Sequence, residues 1–200
     1  DELRPIMMFI VNDSLSSGVF PTALKNALVR PVIKDESGDV NNYKNYRPIS
    51  NLPFLSKMIE KAVQKQLEKH LKSFDLHAPH QSGYRSNHSC ETATLTIYND
   101  LLCLSDTRNK VVLLLLDLSA AFDTVNHQHL LWKLKAKYGI SGNVLNWFQS
   151  YLHERSFTVT INKSRSKKCF LRIGVPQGSI LGPIPVSYTH LRAHETREEL

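Results

Sequence analysis

The most hydrophobic stretch of the chain is a run of six apolar residues at positions 111–116, which ends at Asp117. A short apolar run that opens with two β-branched residues and has no polar interruption is typical of a strand buried on both faces. Such a strand needs helices or further sheet on either side, so we expect the fold to be built around residues 111–117.

Apolar positions spaced three and four residues apart predict amphipathic helices on both sides of this run. The pattern places these helices at residues 3–17, 55–74, 89–104, 124–138 and 141–153. Gly18 supplies the expected end of the first helix, and Ser89 and Ser141 are suitable N-caps. In the helix after Ser89, the positions expected in the core are Ala93, Ile97, Leu101 and Leu104.

Shorter patterns predict strands in two regions of the chain. Residues 27–34 form one candidate strand, and Pro31 within it indicates an edge position or a bulge because proline has no N–H to donate. Residues 157–162 and 169–173 predict a hairpin around the basic turn 163–168.

The ends of the chain are interpreted separately from the fold. The chain begins at Asp1 without an initiator Met, which indicates a piece of a longer polypeptide. Its apolar run at residues 6–11 is too short to span a bilayer or to act as a signal sequence, so we expect no membrane segment. The apolar periodicity stops at Pro185, and we therefore interpret residues 1–184 as one domain fragment and residues 185–200 as a non-native tail.

The composition is that of an ordinary soluble protein, 42% hydrophobic and 22% charged, with a net charge of +7. The positive charge favours a polyanionic partner, although a basic globular protein without one is equally consistent with it. Cys90, Cys103 and Cys169 are widely spaced, which argues against a disulfide framework or a zinc cluster and for a reducing compartment. His127 and His129 lack a second ligand pair, and we interpret them as helix-surface or core polar groups.

Asp117 is the candidate residue with the clearest chemistry because it ends the buried run. An ionised carboxylate at such a position is costly unless a cation or hydrogen-bond donors compensate for it. Carboxylate oxygens at a strand end suit Mg²⁺, which usually binds one or two protein carboxylates together with substrate phosphates. The alternative is that Asp117 caps the helix that follows, a common role of aspartate.

Three further segments carry candidate chemistry in combination with Asp117. They are Tyr46-Arg47-Pro48-Ile49-Ser50, Gln81-Ser82-Gly83-Tyr84-Arg85 and Gly174-Val175-Pro176-Gln177-Gly178-Ser179-Ile180-Leu181-Gly182-Pro183. Each segment alone is weak evidence. In the third, three glycines surround the polar Gln177 and let the backbone approach a ligand closely, and a helix starting near Gly178 would offer free N–H groups to that ligand.

The order and spacing of these segments resemble the reverse transcriptase domain of non-LTR (LINE-like) retrotransposons. Residues 117–125 resemble the first metal-binding motif of the polymerase palm, and residues 174–183 resemble the motif that supports the template base and the incoming nucleotide. The lead-in also matches, at Asn12-Asp13-Ser14-Leu15 and Gly18-Val19-Phe20-Pro21. The resemblance implies an α+β fold, a right-hand polymerase fragment with helical fingers and an incomplete palm sheet centred on residues 111–117.

The function that the resemblance implies is RNA-directed DNA polymerisation, with an RNA template, a DNA primer and dNTPs as partners. Asp117 would be catalytic and would bind metal together with the backbone carbonyl of Leu118. In the complete parent enzyme, two Mg²⁺ ions would clamp the attacking 3′-hydroxyl and the departing pyrophosphate. Phe122 would discriminate deoxyribose from ribose sterically, or alternatively would be a core residue. Asp123 is expected to order the turn or cap the next helix.

The resemblance also assigns residues to the nucleotide and to the nucleic acid. Arg47 and Lys34 would neutralise the triphosphate, and Gln177 with Gly178 would line the nucleotide pocket. Arg85 would bind the triphosphate or the template backbone. The helix at residues 55–74 carries a lysine face that is either a nucleic-acid contact or a solvated surface; it consists of Lys57, Lys61, Lys65, Lys69 and Lys72.

One departure from the family pattern changes the expected activity. Members of this family carry two adjacent aspartates downstream of the glycine-rich motif, whereas the last aspartate here is Asp123 and no Asp-Asp pair occurs. With one of three expected carboxylates and no thumb, these residues are expected to be inactive on their own. The alternative is a non-catalytic RNA-binding remnant of a reverse transcriptase. An RNA-templated RNA polymerase or a group II intron maturase is disfavoured by Phe122 and residues 12–21, and the implied localisation is the nucleus and cytoplasm.

Overall fold

The computed structural model describes residues 2–78, 80–107, 110–116 and 120–184. The chain divides into two compact units, one formed by Asp1–Leu76 with Ala121–Leu200 and the other by His77–Ala120. Helices and a sheet are both present among the described residues, in agreement with the predicted α+β class. Asp117, Leu118 and the predicted tail at residues 185–200 lie outside the described residues.

The described residues contain five α-helices: α1 (Leu3–Ser17), α2 (Phe54–Ser73), α3 (Cys90–Asp106), α4 (His127–Ala136) and α5 (Gly142–Leu152). The predicted end of α1 is confirmed, since Gly18 adopts the left-handed conformation with φ +69°. Helix α4 begins later than predicted because the side chain of Asn126 caps it, accepting from His129 N at 3.0 Å. Ser141 precedes α5, but its side chain makes no capping hydrogen bond. No described helix combines the length and apolar character needed to cross a membrane.

The sheet belongs to the first unit. Its strands are β1 (Asn26–Ile33), β2 (Tyr46–Asn51), β3 (Ser156–Ile161), β4 (Ser164–Arg165) and β5 (Cys169–Phe170). Strand β1 pairs antiparallel with β2 and parallel with β3, which in turn pairs antiparallel with β4 and β5. The pairing of β1 with β3 ends at Val29, so Pro31, which lies opposite Pro48 of β2, occupies a local edge as predicted.

The register gives the β1–β2 part of the sheet one covered face and one exposed face. Ala27 and Val29 of β1 are buried, whereas Arg30 and Val32 are exposed. Paired residues share a face, so the buried Ser50, opposite Val29, lies on the covered face of β2. This covered face is the one that the candidate site uses.

The core of the first unit joins α1 and α5 through aromatic contacts. Phe20 packs edge-on against Trp147 and Tyr151, with ring centroids 5.6 and 5.2 Å apart. The indole N–H of Trp147 donates to Ser14 Oγ at 3.0 Å, and that hydroxyl donates to Val19 O at 2.7 Å. The predicted apolar stripe of α2 is confirmed by its buried side chains, which include Ile59, Val63, Leu67 and Leu71.

The second unit contains α3, whose N-terminus is as predicted and whose apolar stripe is not. Ser89 and Thr92 form a capping box, with Thr92 N donating to Ser89 Oγ at 3.2 Å. None of the residues of α3 is buried, and Ile97 and Leu104 keep 42% and 46% of their area exposed. The prediction of a core stripe was therefore wrong, since periodicity marks an apolar face but does not supply the surface that covers it.

The run at residues 111–116 also differs from its prediction. These residues form no strand, and their side chains are exposed, with Val112 at 89% and Leu115 at 78%. The sheet is instead built from β1, β2, β3, β4 and β5, so the expectation of a sheet centred on residues 111–117 was wrong for the described residues. The backbone N–H and C=O groups of a strand form hydrogen bonds to neighbouring strands. In the part of the chain that the structure describes, no strand pairs with residues 111–116.

Candidate active site

The glycine-rich segment at residues 174–182 is bonded to the turn that follows Asp117 in the sequence. Gly174 N donates to Val125 O and Val175 N donates to Phe122 O, both at 2.8 Å. A Cβ on Gly174 would lie 2.9 Å from the backbone oxygens of Phe122 and Asp123, and φ at Gly174 is +83°. Glycine at this position therefore lets two predicted motifs pack backbone against backbone.

The same segment contacts strand β2, which carries the Tyr-Arg-Pro-Ile-Ser motif. Ser50 N donates to Gln177 O at 2.7 Å. A Cβ on Gly178 would lie 2.6 Å from Ser50 O, and φ at Gly178 is +122°. Three motifs that are far apart in the sequence thus converge on the Gln177-Gly178 turn.

Glu60 of α2 holds the next part of the segment. Its Oε2 accepts from Ile180 N at 2.8 Å and from Leu181 N at 3.2 Å, and its Oε1 accepts from Ser56 Oγ at 2.9 Å. Glu60 is fully buried. Glu60 was not among the residues predicted from the sequence; its local signal is a carboxylate next to the apolar stripe of α2, four residues after a serine.

Arg155, which precedes β3, lies beside Glu60 in the same buried cluster. Its Nη2 is 4.0 Å from Glu60 Oε1, and its Nε donates to Tyr151 O at 2.6 Å. The guanidinium stacks over the Tyr151 ring at 3.9 Å from the centroid. Burial raises the pKa of the Tyr151 phenol, and the nearby positive charge of Arg155 opposes that shift.

His127, the first residue of α4, makes a further bond to the segment. Its Nε2 lies 2.7 Å from Gly174 O. His127 was predicted to be a helix-surface or core polar group, and its half-buried position agrees with that prediction. The bond shows that α4 also helps to hold the glycine-rich segment.

A cavity of about 320 Å³ opens between the covered face of the sheet and the Gln177 turn. Pro48 and Ser50 of β2 line one wall, and Asp123, Pro176 and Gln177 line another. The partial enclosure of Asp123 raises the pKa of its carboxyl above the ordinary range, because burial disfavours the charged form. The cavity combines apolar walls with a few polar groups, as small-molecule sites commonly do.

The predicted triphosphate-binding residues lie elsewhere on the sheet. Arg47 is paired with Val32 and is exposed, which places it on the face opposite to that of Ser50. Lys34, just after β1, is also exposed, and its Nζ donates to Lys44 O at 2.9 Å. The structure therefore brings Gln177 to the cavity, with Gly178 next to it packed against Ser50, but does not bring Arg47 or Lys34 there.

Phe122 is half-buried beside the glycine-rich segment. Its ring carbon Cε1 lies 3.5 Å from the position that a Cβ on Gly182 would take, and the side chain packs against the core cluster.

The predicted nucleic-acid-binding residues lie away from this segment in the sequence. Lys57 is half-buried and Lys61 is exposed on α2, where Lys61 Nζ donates to Gln64 Oε1 at 2.8 Å. Arg85 belongs to the second unit and is half-buried there.

The predicted metal ligands Asp117 and Leu118 fall outside the described residues. Among the described residues, no three Asp, Glu, His or Cys side chains come together in a group that could hold a metal ion. Asp123 is the carboxylate that lines the cavity.

Comparison with known proteins agrees with the motifs that converge here. The family model described as reverse transcriptase (RNA-dependent DNA polymerase) matches residues 33–190. The RNA-directed DNA polymerase from mobile element jockey of Drosophila funebris is 30% identical over 92% of this chain and 20% of its own length. The probable RNA-directed DNA polymerase from transposon BS of Drosophila melanogaster is 31% identical over 89% of this chain and 19% of its own length.

A more distant relative is the retrovirus-related Pol polyprotein from type-1 retrotransposable element R2 of Popillia japonica, 28% identical over 81% of this chain. The chain spans about one fifth of the length of these curated relatives. The resemblance to non-LTR elements that the sequence motifs indicated is confirmed by the family model and by these mobile-element relatives. The chain belongs to the reverse transcriptase family and is a LINE-like reverse transcriptase domain.

Proposed function

We propose that this chain forms the fingers and part of the palm of an RNA-directed DNA polymerase that copies a retrotransposon transcript. The observation that carries the proposal is the convergence of three motifs on one cavity. Ser50 of the first motif bonds to Gln177, and Val175 bonds to Phe122 of the motif that contains Asp117. Motifs separated by 50 to 130 positions in sequence share this one place in the fold, which is the arrangement expected of a substrate site.

The cavity beside Gln177 and Gly178 is proposed to receive the incoming dNTP. The close approach of Gly178 to Ser50 leaves no room for a side chain, so the backbone of the turn packs directly on β2 beside the cavity-lining Gln177. Phe122 lies next to Gly182 at the same segment, where a ring can restrict the substituent on the sugar. The ratio of ribonucleotide to deoxyribonucleotide incorporation by a Phe122→Val polymerase is the measurement that tests this role.

The metal requires groups beyond the cavity, and the cation that lines the cavity itself is Arg155, which lies beside Glu60. Arg47 and Lys34 are exposed, and Arg47 serves the triphosphate only if the triphosphate reaches the face of the sheet opposite to Ser50. Asp117 and the backbone carbonyl of Leu118 are proposed to hold Mg²⁺, which supplies positive charge to the primer hydroxyl and the leaving pyrophosphate when it is bound. The RNA template and DNA primer are the proposed macromolecular partners.

The proposal is tested by Asp117→Asn in a polymerase that carries this domain. The substitution keeps the shape of the side chain and removes the charge that a Mg²⁺ ligand needs, so primer extension on an RNA template is expected to be abolished while the fold is retained. Asp100→Asn is the matched control, because it makes the same change at an exposed position of α3 that does not line the cavity. Extension by Asp117→Asn within about tenfold of wild type would contradict the metal-ligand role.

The non-catalytic alternative is a distinct outcome of the same experiment. If the wild-type polymerase binds RNA but does not extend a primer, the RNA-binding remnant becomes the better description. Binding is measured with a labelled RNA–DNA primer-template, and extension is measured with the same complex after addition of dNTPs.

A further inference from the structure

The segment that follows Gly178 is tied to α2 by one buried carboxylate. Glu60 Oε2 accepts from the two consecutive amides of Ile180 and Leu181, at 2.8 and 3.2 Å. The other oxygen is occupied by the hydroxyl of Ser56 at 2.9 Å. Three donors therefore converge on a carboxylate that has no exposure to solvent.

Arg155 offsets the free-energy cost of burying the Glu60 carboxylate. An uncompensated charge in the interior is costly, and the Arg155 guanidinium, 1% exposed, lies 4.0 Å from Glu60. Arg155 is fixed in turn by its bond to Tyr151 O and by stacking on the Tyr151 ring. The pair links α2, the end of α5 and the glycine-rich segment.

The anchored residues adjoin the candidate nucleotide site directly. Gln177 is fixed on one side by Ser50 N, and Ile180 and Leu181 are fixed on the other side by Glu60. Between them, Ser179 Oγ donates to Pro176 O at 2.9 Å. The Gln177-Gly178 turn is thus held at both ends, and Glu60 provides the side-chain anchor downstream of it.

We propose that Glu60 is a positioning residue for the nucleotide site, acting through the backbone of residues 180–181 and balanced by Arg155. The role rests on the proposed function of the Gln177-Gly178 turn in binding dNTP. Glu60 does not touch the cavity; it determines where the turn that forms the cavity wall lies. Its loss is expected to weaken dNTP binding more than the turnover of bound dNTP.

The first test is Glu60→Gln, which keeps the volume but removes the charge. Its single carbonyl oxygen is a weaker acceptor than a carboxylate that receives three bonds, so amide hydrogen exchange at Ile180 and Leu181 is expected to accelerate at least about tenfold. In the polymerase that carries this domain, KM for dNTP is expected to rise about tenfold with kcat changed much less. Glu60→Asp, which keeps the charge on a shorter stem, should recover part of both effects.

Val63→Ala is the matched control for a general loss of stability. Val63 is buried on the same helix and belongs to the apolar core. At an equal drop in Tm, it should leave the exchange at residues 180–181 and the KM for dNTP close to wild type. Equal acceleration of exchange in Val63→Ala and Glu60→Gln would overturn the anchoring role.

In the double variant Glu60→Met, Arg155→Met, amide exchange is the primary readout, because Arg155 also lines the cavity and its loss can alter KM directly. The double variant removes both buried charges together, so it avoids the uncompensated charge that either single apolar change would leave. The expected result is a folded chain with fast exchange at residues 180–181. If the amides of residues 180–181 stay protected from exchange, the proposal is overturned. It is also overturned if that protection is lost while the KM for dNTP stays unchanged. A wild-type polymerase without any activity would contradict the proposed function instead, and the exchange data would still decide whether Glu60 anchors the segment.

Discussion

At the scale of single residues, Gly178 shows the most direct constraint on sequence. Its φ of +122° is a conformation that side chains rarely adopt, and a Cβ there would lie 2.6 Å from the carbonyl oxygen of Ser50. The contact is with backbone, which cannot rotate away as the end of a flexible side chain could. Backbone strain and overpacking therefore act together on any substitution.

We expect Gly178→Ala to destabilise the chain by about 1–3 kcal/mol. For a chain of this size, that corresponds to a fall in Tm of roughly 2–4 °C per kcal/mol, measured by thermal denaturation. Gly83→Ala is the control, because no heavy atom lies within 4 Å of the Cβ that it would add. If the two variants have the same Tm, the structure relieves the contact at Gly178 without a loss of stability.

The residues of the candidate site were accessible to sequence reasoning to different degrees. Gln177, Gly178 and Phe122 belong to recognisable segments, and the structure places all three at the same segment. Glu60 and Arg155 were not identified because their partners lie far away in sequence; Glu60 bonds to amides 120 and 121 residues further on. A buried ion pair leaves no local sequence pattern, since each of its charged residues resembles an ordinary surface residue in the sequence.

At the scale of elements, the β3–β5 region carries several exposed cations and no carboxylate of its own. No acidic residue occurs between Ser156 and Ile184. Its exposed cations are Lys163, Arg165, Lys167, Lys168 and Arg172. Phe170 is 63% exposed, with Lys168 Nζ 5.5 Å from its ring centre. Exposed cations with an exposed aromatic ring suit a nucleic-acid backbone and its bases.

We expect the chain to bind single-stranded RNA weakly and with a marked dependence on salt, through this region and the lysine face of α2. About four phosphate contacts would give a slope of log K against log salt near −3. Lys163→Gln with Lys168→Gln should make that slope shallower by about 1.4, measured by fluorescence anisotropy. Arg4→Gln with Lys135→Gln, two exposed changes on α1 and α4, is the control for the same loss of net charge. Binding that does not vary with salt would exclude an electrostatic contact.

Element prediction succeeded where the determinant is local and failed where it is not. The helices α1 and α2 follow from an apolar stripe with a polar opposite face, and both lie within one residue of the predicted bounds. The β4 strand interrupts the predicted basic turn because Ser164 and Arg165 pair back onto β3. The run at residues 111–116 has the composition of a strand, but pairing depends on a neighbour that composition does not specify.

At the scale of the whole molecule, the distribution of carboxylates bears on activity. Two-metal transfer requires carboxylates that hold both ions in one site, and Mg²⁺ binds poorly to a single carboxylate. No aspartate follows Asp123 in these 200 residues. Among the described residues, no cluster of metal-ligating side chains compensates for this.

We therefore expect the 200-residue chain by itself to show no primer extension at millimolar Mg²⁺ or Mn²⁺, on an RNA template with an annealed DNA primer. Replacing residues 185–200 with the corresponding palm continuation of a related element, including its adjacent aspartates and its thumb, should restore extension, because the second strand then supplies the missing ligands. The same chimera with Asp117→Asn is the control, and it should be inactive even though the added carboxylates are present. Extension by the 200 residues alone would mean that the active site lies elsewhere in the chain. A folded but inactive chimera would favour an RNA-binding remnant.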